Sequence, residues 1–124
     1  MKKNVVKSKS YSFAIEVVST YKYLVKEKKE YVLSKQLLRS GTAIGALIVE
    51  GEHAQSKPDF LHKMNIALKE ANETRYWLDL LKDCGYIQVD FYKNLCKEAE
   101  ELIKLLASIV RTTKQSLYKN VNPN

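Results

Sequence analysis

Residues 36–77 read QLLRSGTAIGALIVEGEHAQSKPDFLHKMNIALKEANETRYW, and this stretch decides the fold. Its first half is apolar but built from small residues: Ser40, Gly41, Thr42, Ala43, Gly45 and Ala46. Leu33, Leu37, Ser40, Ile44, Leu47 or Ile48, and Gly51 recur at three- and four-residue spacing, which predicts a helix over about 32–53. Gly41 and Gly45 each cost about 1 kcal/mol relative to alanine inside a helix. Close approach of another backbone is a compensating reason to keep side chains small there. The second half opens on a helix start. Ser56 is a candidate N-cap, Pro58 falls in the first turn where a missing N–H costs nothing, and Asp59 sits at the capping-box position. The helix then runs over about 57–84 through Leu61, Met64, Leu68, Ala71, Leu78 and Leu81, with Gly85 as its stop. Two closely approaching helices, one studded with charges, point to a scaffold or binding bundle more than to a catalytic pocket.

The same periodicity extends outward in both directions. Phe13, Ala14, Val17, Val18, Tyr21, Leu24 and Val25 predict a first helix over about 10–28, ended by the polar turn EKKE. Leu95, Ala99, Leu102, Leu106, Ile109 and Thr113 form a regular bundle seam in a fourth helix over about 89–117. The tail NVNPN reads as frayed. With only 4 Gly and 2 Pro among 124 residues, few long elements are favoured over many short strands. Short connections between long helices favour an all-α, up-down-up-down four-helix bundle, one domain spanning residues 1–124.

Charge is unevenly distributed. Residues 1–39 carry a net +7, residues 40–101 a net −4, and residues 102–124 a net +4 with no acid. Basic ends around an acidic middle are a hint of polyanion binding. In an up-down bundle the chain's two ends meet. Lys3, Lys7 and Lys9 would then lie near Arg111 and Lys114 as phosphate contacts, with Lys35 and Arg39 as a second patch. For Arg39 an ion pair with Glu70 or Glu73 is the competing reading. The opposite end gathers Lys22, Lys26, Lys28, Lys29 and Lys35, but Asp79, Asp83 and Asp90 lie near it.

The residues that catalysis requires are not arranged for it. There is no Walker loop, nucleophile elbow or dinucleotide fingerprint. Neither His53 nor His62 has an Arg four to six residues upstream, as helical-bundle ribonucleases of the HEPN class carry. Glu50–His53 gives one ExxH where a di-iron bundle needs two. No cofactor or metal is expected, and the chain reads as a non-enzyme. Cys84 and Cys96 read as half-buried free thiols. No apolar run reaches the length of a membrane span and the start lacks a signal peptide, so a cytoplasmic location is expected. Lys63, Glu70 and Trp77 share one face of the third helix, with Lys69, Glu73 and Tyr76 beside them. Lys69–Glu73 is an i,i+4 pair, and Trp77 is either core or an outward anchor.

QLLRSGTAIGALIVEG followed by SKPDFLHKMNIALKEANETRYWLDLL resembles the four-helix-bundle proteins of the 23S ribosomal RNA intervening-sequence family. The matching residues include Gln36, Arg39, Ser40 to Gly45, Glu50, Asp59-Phe60, Lys63, Ala67 to Ala71, Glu73 and Tyr76-Trp77-Leu78. One departure is Leu47 where family members commonly have Asn; another is Val49 where they have Arg or Ala. The resemblance implies ring-shaped homopentamers, and a related accessory protein of diversity-generating retroelements contacts a reverse transcriptase and nucleic acid. Gly41, Gly45, Glu50, Lys63, Glu70, Glu73 and Trp77 are expected to be interface or structural residues. The expectation is a homo-oligomeric RNA- or DNA-binding scaffold. The alternative is a protein–protein adaptor in which the tyrosines, Trp77 and the acidic middle matter more than the lysines.

Overall fold

The computed structural model describes residues 2–121, with side chains from 5 to 119. Four helices follow one another: α1 (Lys2–Lys26), α2 (Leu33–Glu52), α3 (Lys57–Asp83) and α4 (Val89–Val121). Each packs on the next, and α4 closes the ring against α1, the sparsest of the four seams. The result is an all-α bundle of antiparallel neighbours. Its core takes one stripe from each helix: Phe13, Val17 and Leu24 from α1, Leu37, Ile44 and Ile48 from α2, Met64, Leu78 and Leu81 from α3, and Leu95, Leu102 and Leu106 from α4.

The helix ends follow local chemistry. The Ser56 hydroxyl accepts from the Asp59 N–H at 3.2 Å, but the Asp59 carboxylate turns back to the Gln55 N–H rather than to Ser56. Gly85, at φ +81°, lets the chain leave α3 and turn into α4. α1 begins at Lys2, eight residues before the sequence-based start at Ser10, because Val6 and Ser10 extend the buried stripe backwards. α4 runs to Val121, past the expected end at 117, and the rest of the expected frayed tail lies outside the described residues.

Gly41 and Gly45 of α2 face α1. A Cβ on Gly45 would stand 3.3 Å from Ser10 Oγ and 3.6 Å from the Ser10 carbonyl oxygen, so α1 passes close there. Between α2 and α3 the buried Thr74 hydroxyl donates to Ser40 Oγ at 2.9 Å and sets the register of that seam.

Glu30, the last residue of the polar turn EKKE, has a role the sequence reading did not assign. It is only 8% exposed. Its carboxylate accepts from the N–H groups of Val32, Leu33 and Ser34, the orphan donors of the first turn of α2. The N-cap residue Val32 supplies no side-chain cap of its own. The cysteines also differ from expectation: Cys84 is exposed and Cys96 buried, and both are free.

Candidate nucleic-acid interface

The basic residues divide into those already paired and those that are not. Lys7 Nζ sits 2.9 Å from Glu52, across the α1–α2 seam. Lys9 Nζ sits 3.0 Å from Glu101, across the α1–α4 seam, and its hydrogen bond and charge hold the Glu101 carboxyl below the usual range. Arg39 is forked between Glu70, at 3.2 Å, and Glu73. The side chain of Lys3 lies outside the described residues. By contrast Arg111, Lys114 and Lys35 are exposed, and among the described residues they form no ion pair.

The geometry also spreads the expected terminal cluster along the bundle. Lys9 is level with Glu101. Arg111 lies about 15 Å further along α4 at 1.5 Å per residue. There α4 runs beside the start of α3, where Lys57 Nζ donates to Ser116 Oγ at 2.7 Å. Arg111, Lys114 and Tyr118 follow at three- and four-residue spacing on one side of this segment, with Tyr118 68% exposed. From sequence Tyr118 was only one of eight tyrosines that could stack on nucleobases, with nothing to set it apart. Its spacing from Lys114, on a stretch without acids, was the available clue.

The α2–α3 face is a ladder of mixed charges. Lys63 Nζ meets Glu50 at 3.0 Å, and the Trp77 indole N–H donates to Glu73 at 3.0 Å. The Glu73 carboxyl is held below the usual carboxylate range first by that indole and then by Arg39, against the opposing effect of burial. Glu73 therefore faces Arg39 and Trp77 rather than forming the expected i,i+4 pair with Lys69. Such solvent-exposed pairs contribute little net stability. Trp77 lies half-buried against the core, and Tyr76, 57% exposed, meets it edge-on at 5.0 Å.

Two depressions flank α1. One is an open groove of about 710 Å³ between α1 and α2, whose lining includes Tyr11, Ala14, Thr42, Gly45, Ala46 and Val49. The other, about 220 Å³, opens in the α1–α4 seam and is lined by Ser8, Lys9, Ser12, Glu98 and Glu101. Burial, then a hydrogen bond with the Glu16 carboxyl, then the charges of Glu16 and Glu101 raise the Glu98 carboxyl, against Lys9, to about 7. Its folded value lies above the ordinary 4.5, so the stability tied to this proton is full below about pH 4.5 and is lost as pH rises through about 7. Glu98→Gln is therefore expected to melt above wild type at pH 8, with the difference shrinking toward pH 5. A difference that does not change with pH would show that the two carboxyls share no proton.

Among the described residues no group of three or more His, Cys, Asp or Glu side chains is placed to hold a metal ion. No described helix is long and apolar enough to cross a membrane.

A solved protein from Bacteroides thetaiotaomicron, described as of unknown function and from the S23 ribosomal protein family, is similar with a TM-score of 0.88 and 57% identity. The match covers 90% of this chain and 99% of that one. No curated protein matches. Residues 2–108 match the family model described as 23S rRNA-intervening sequence protein, and the chain belongs to that family.

Proposed function

We propose that the protein is a non-enzymatic, homo-oligomeric scaffold that binds RNA or DNA through its basic surface, with the C-terminal part of α4 as the principal contact. The observation that carries this reading is the last stretch of α4. From Leu102 onward it bears Lys104, Arg111, Lys114 and Lys119 and no carboxylate, with none of these cations in an ion pair among the described residues. Exposed, unpaired cations attract phosphate without first breaking a bond within the protein. Lys7, Lys9 and Arg39 must release carboxylates to do the same, so they rank below Arg111 and Lys114 as contacts.

The oligomer rests on uncovered apolar surface. Tyr11 is 71% and Ile15 57% exposed along the same outer side of α1, and Val49 is exposed on α2 beside the α1–α2 groove. Assembly of copies, the homopentamer expected of the resemblance, would cover such surface. It would also multiply every weak phosphate contact into avidity.

The test is size exclusion with light scattering, followed by titration of a structured RNA across a salt series. Arg111→Glu with Lys114→Glu is expected to weaken binding about tenfold or more at low salt and to flatten the salt dependence, since each lost phosphate contact removes about one unit of slope. Unchanged affinity would reject α4 as the contact, and a mass of 14.3 kDa in solution would reject the oligomer. The exposed Tyr76 ring favours a second reading, a protein adaptor. Partner capture that survives high salt and nuclease would support it.

A further inference from the structure

At the other end of the bundle, the corner between α1 and α2 is built rigidly and yet presents apolar residues to solvent. Lys29 sits at φ +54°, a left-handed conformation that a lysine adopts at a cost. Around it the backbone is pinned: the Glu27 N–H donates to the Tyr23 carbonyl at 2.8 Å and the Glu30 N–H to the Leu24 carbonyl at 3.0 Å. The Ser34 hydroxyl closes the corner on the Glu30 carbonyl at 2.8 Å, and the Glu30 carboxylate holds the first turn of α2. So fixed, the corner displays Tyr31 at 52% and Val32 at 71% exposure.

The charges around this tip are arranged asymmetrically. Lys26, Lys28, Lys29 and Lys35 are exposed, and among the described residues none is ion-paired. Of the two acids in the corner, Glu30 spends its charge on backbone N–H groups and only Glu27 faces water. Toward the α3–α4 turn, Asp83 meets the neighbouring Lys82 at 3.4 Å and Asp90 is exposed, so these two acids sit on the far pair of helices. An exposed phenol ring on a stiff loop, surrounded by unpaired ammonium groups, suits a ligand that combines open aromatic faces with repeating negative charge.

We infer that this corner is a binding site for single-stranded nucleic acid, with Tyr31 stacking on an unpaired base and Lys26, Lys28, Lys29 and Lys35 receiving the flanking phosphates. A duplex buries its base faces, so Tyr31 contributes to single strands only. The inference rests on the nucleic-acid reading above but uses the opposite end of the molecule.

The experiment titrates a labelled oligothymidylate of 20 nucleotides (about five times the smallest single-strand footprint,) and a duplex of equal length into wild type, Tyr31→Ala, Tyr31→Trp, Lys28→Glu/Lys29→Glu and Arg111→Glu/Lys114→Glu. Circular dichroism confirms that each variant is folded. Tyr31→Ala is expected to weaken single-strand binding about fivefold or more while leaving the duplex unchanged, and Tyr31→Trp to restore it. Lys28→Glu/Lys29→Glu is expected to weaken single-strand binding further. Equal loss on both probes, or no loss from Tyr31→Ala in a protein that binds them, overturns the stacking site and leaves α4 as the contact. If wild type binds neither probe, the parent reading fails with it. Binding of phosphatidylserine vesicles that Tyr31→Ala abolishes, with oligothymidylate binding unaffected, overturns the assignment in favour of a lipid surface.

Discussion

Replacing Gly41 with leucine is expected to destabilise the bundle by about 3 kcal/mol or more, at the upper end of what overpacking costs. The physical reason is local. A Cβ at position 41 would stand 2.8 Å from both Val17 methyl carbons and 3.2 Å from the Val17 Cβ. Val17 is fully buried and β-branched, so it cannot rotate out of the way, and α1 and α2 must separate instead. Alanine is a milder probe. It adds about 1–3 kcal/mol of overpacking and recovers about 1 kcal/mol of helix propensity, leaving a small net loss. Val17→Ala in the Gly41→Ala background removes the colliding methyls, so the two substitutions together are expected to cost less than their sum. Urea denaturation of the four proteins in that cycle measures the coupling. Wild-type-like melting of Gly41→Leu would mean that the helices tolerate a wider spacing than the one described.

Glu30→Ala is expected to cost about 1.5–5 kcal/mol, combining the loss of a helix cap, about 0.5–2, with a buried N–H left unpaired, about 1–3. The Ser34 N–H, 2.6 Å from the carboxylate, belongs to a residue with no exposed surface, so water cannot replace the lost acceptor. The effect also has a pH signature. Burial alone would raise the Glu30 carboxyl, but the N–H groups of Leu33, Ser34 and Val32, with the Ser34 hydroxyl, outweigh it and hold the group below its ordinary value. Its contribution is therefore fully present above the ordinary carboxylate range and is lost as pH falls through the depressed folded value. Glu30→Gln keeps one acceptor oxygen but no charge. Its deficit against wild type should be largest near neutrality and should close in acid. A deficit that stays constant with pH would show that the cap works as a neutral hydrogen bond and not as a charge.

What could be read from the sequence follows from where the information sits. α2, α3 and the α4 seam were legible because their apolar positions repeat cleanly and Ser56, Pro58 and Gly85 mark the ends. The start of α1 was not, since between residues 5 and 10 only Val6 and Ser10 are buried, too few apolar positions to show a helical period. Glu30 was hidden for a related reason: in a lysine-rich turn an acid looks solvated, and nothing in EKKE shows that its carboxylate folds onto the next helix. The candidate site was legible in outline only. Arg39 with Glu70 and Glu73 could be named as alternatives because α2 and α3 are consecutive. The partners of Lys7 and Lys9 lie on α2 and on α4, so their engagement emerges only when the helices are laid side by side.

The seam between α1 and α4 bears on how the chain folds. Three of the four seams join helices consecutive in sequence, and each can form as a local hairpin. The fourth joins Lys9 to Glu101, 92 positions apart, and is the most sparsely packed. Closing so long a loop carries the largest entropic cost in the molecule and returns the fewest contacts. The α1–α4 seam is therefore the one the chain gains least from forming early, and it closes most cheaply once the three local hairpins have brought α1 and α4 side by side.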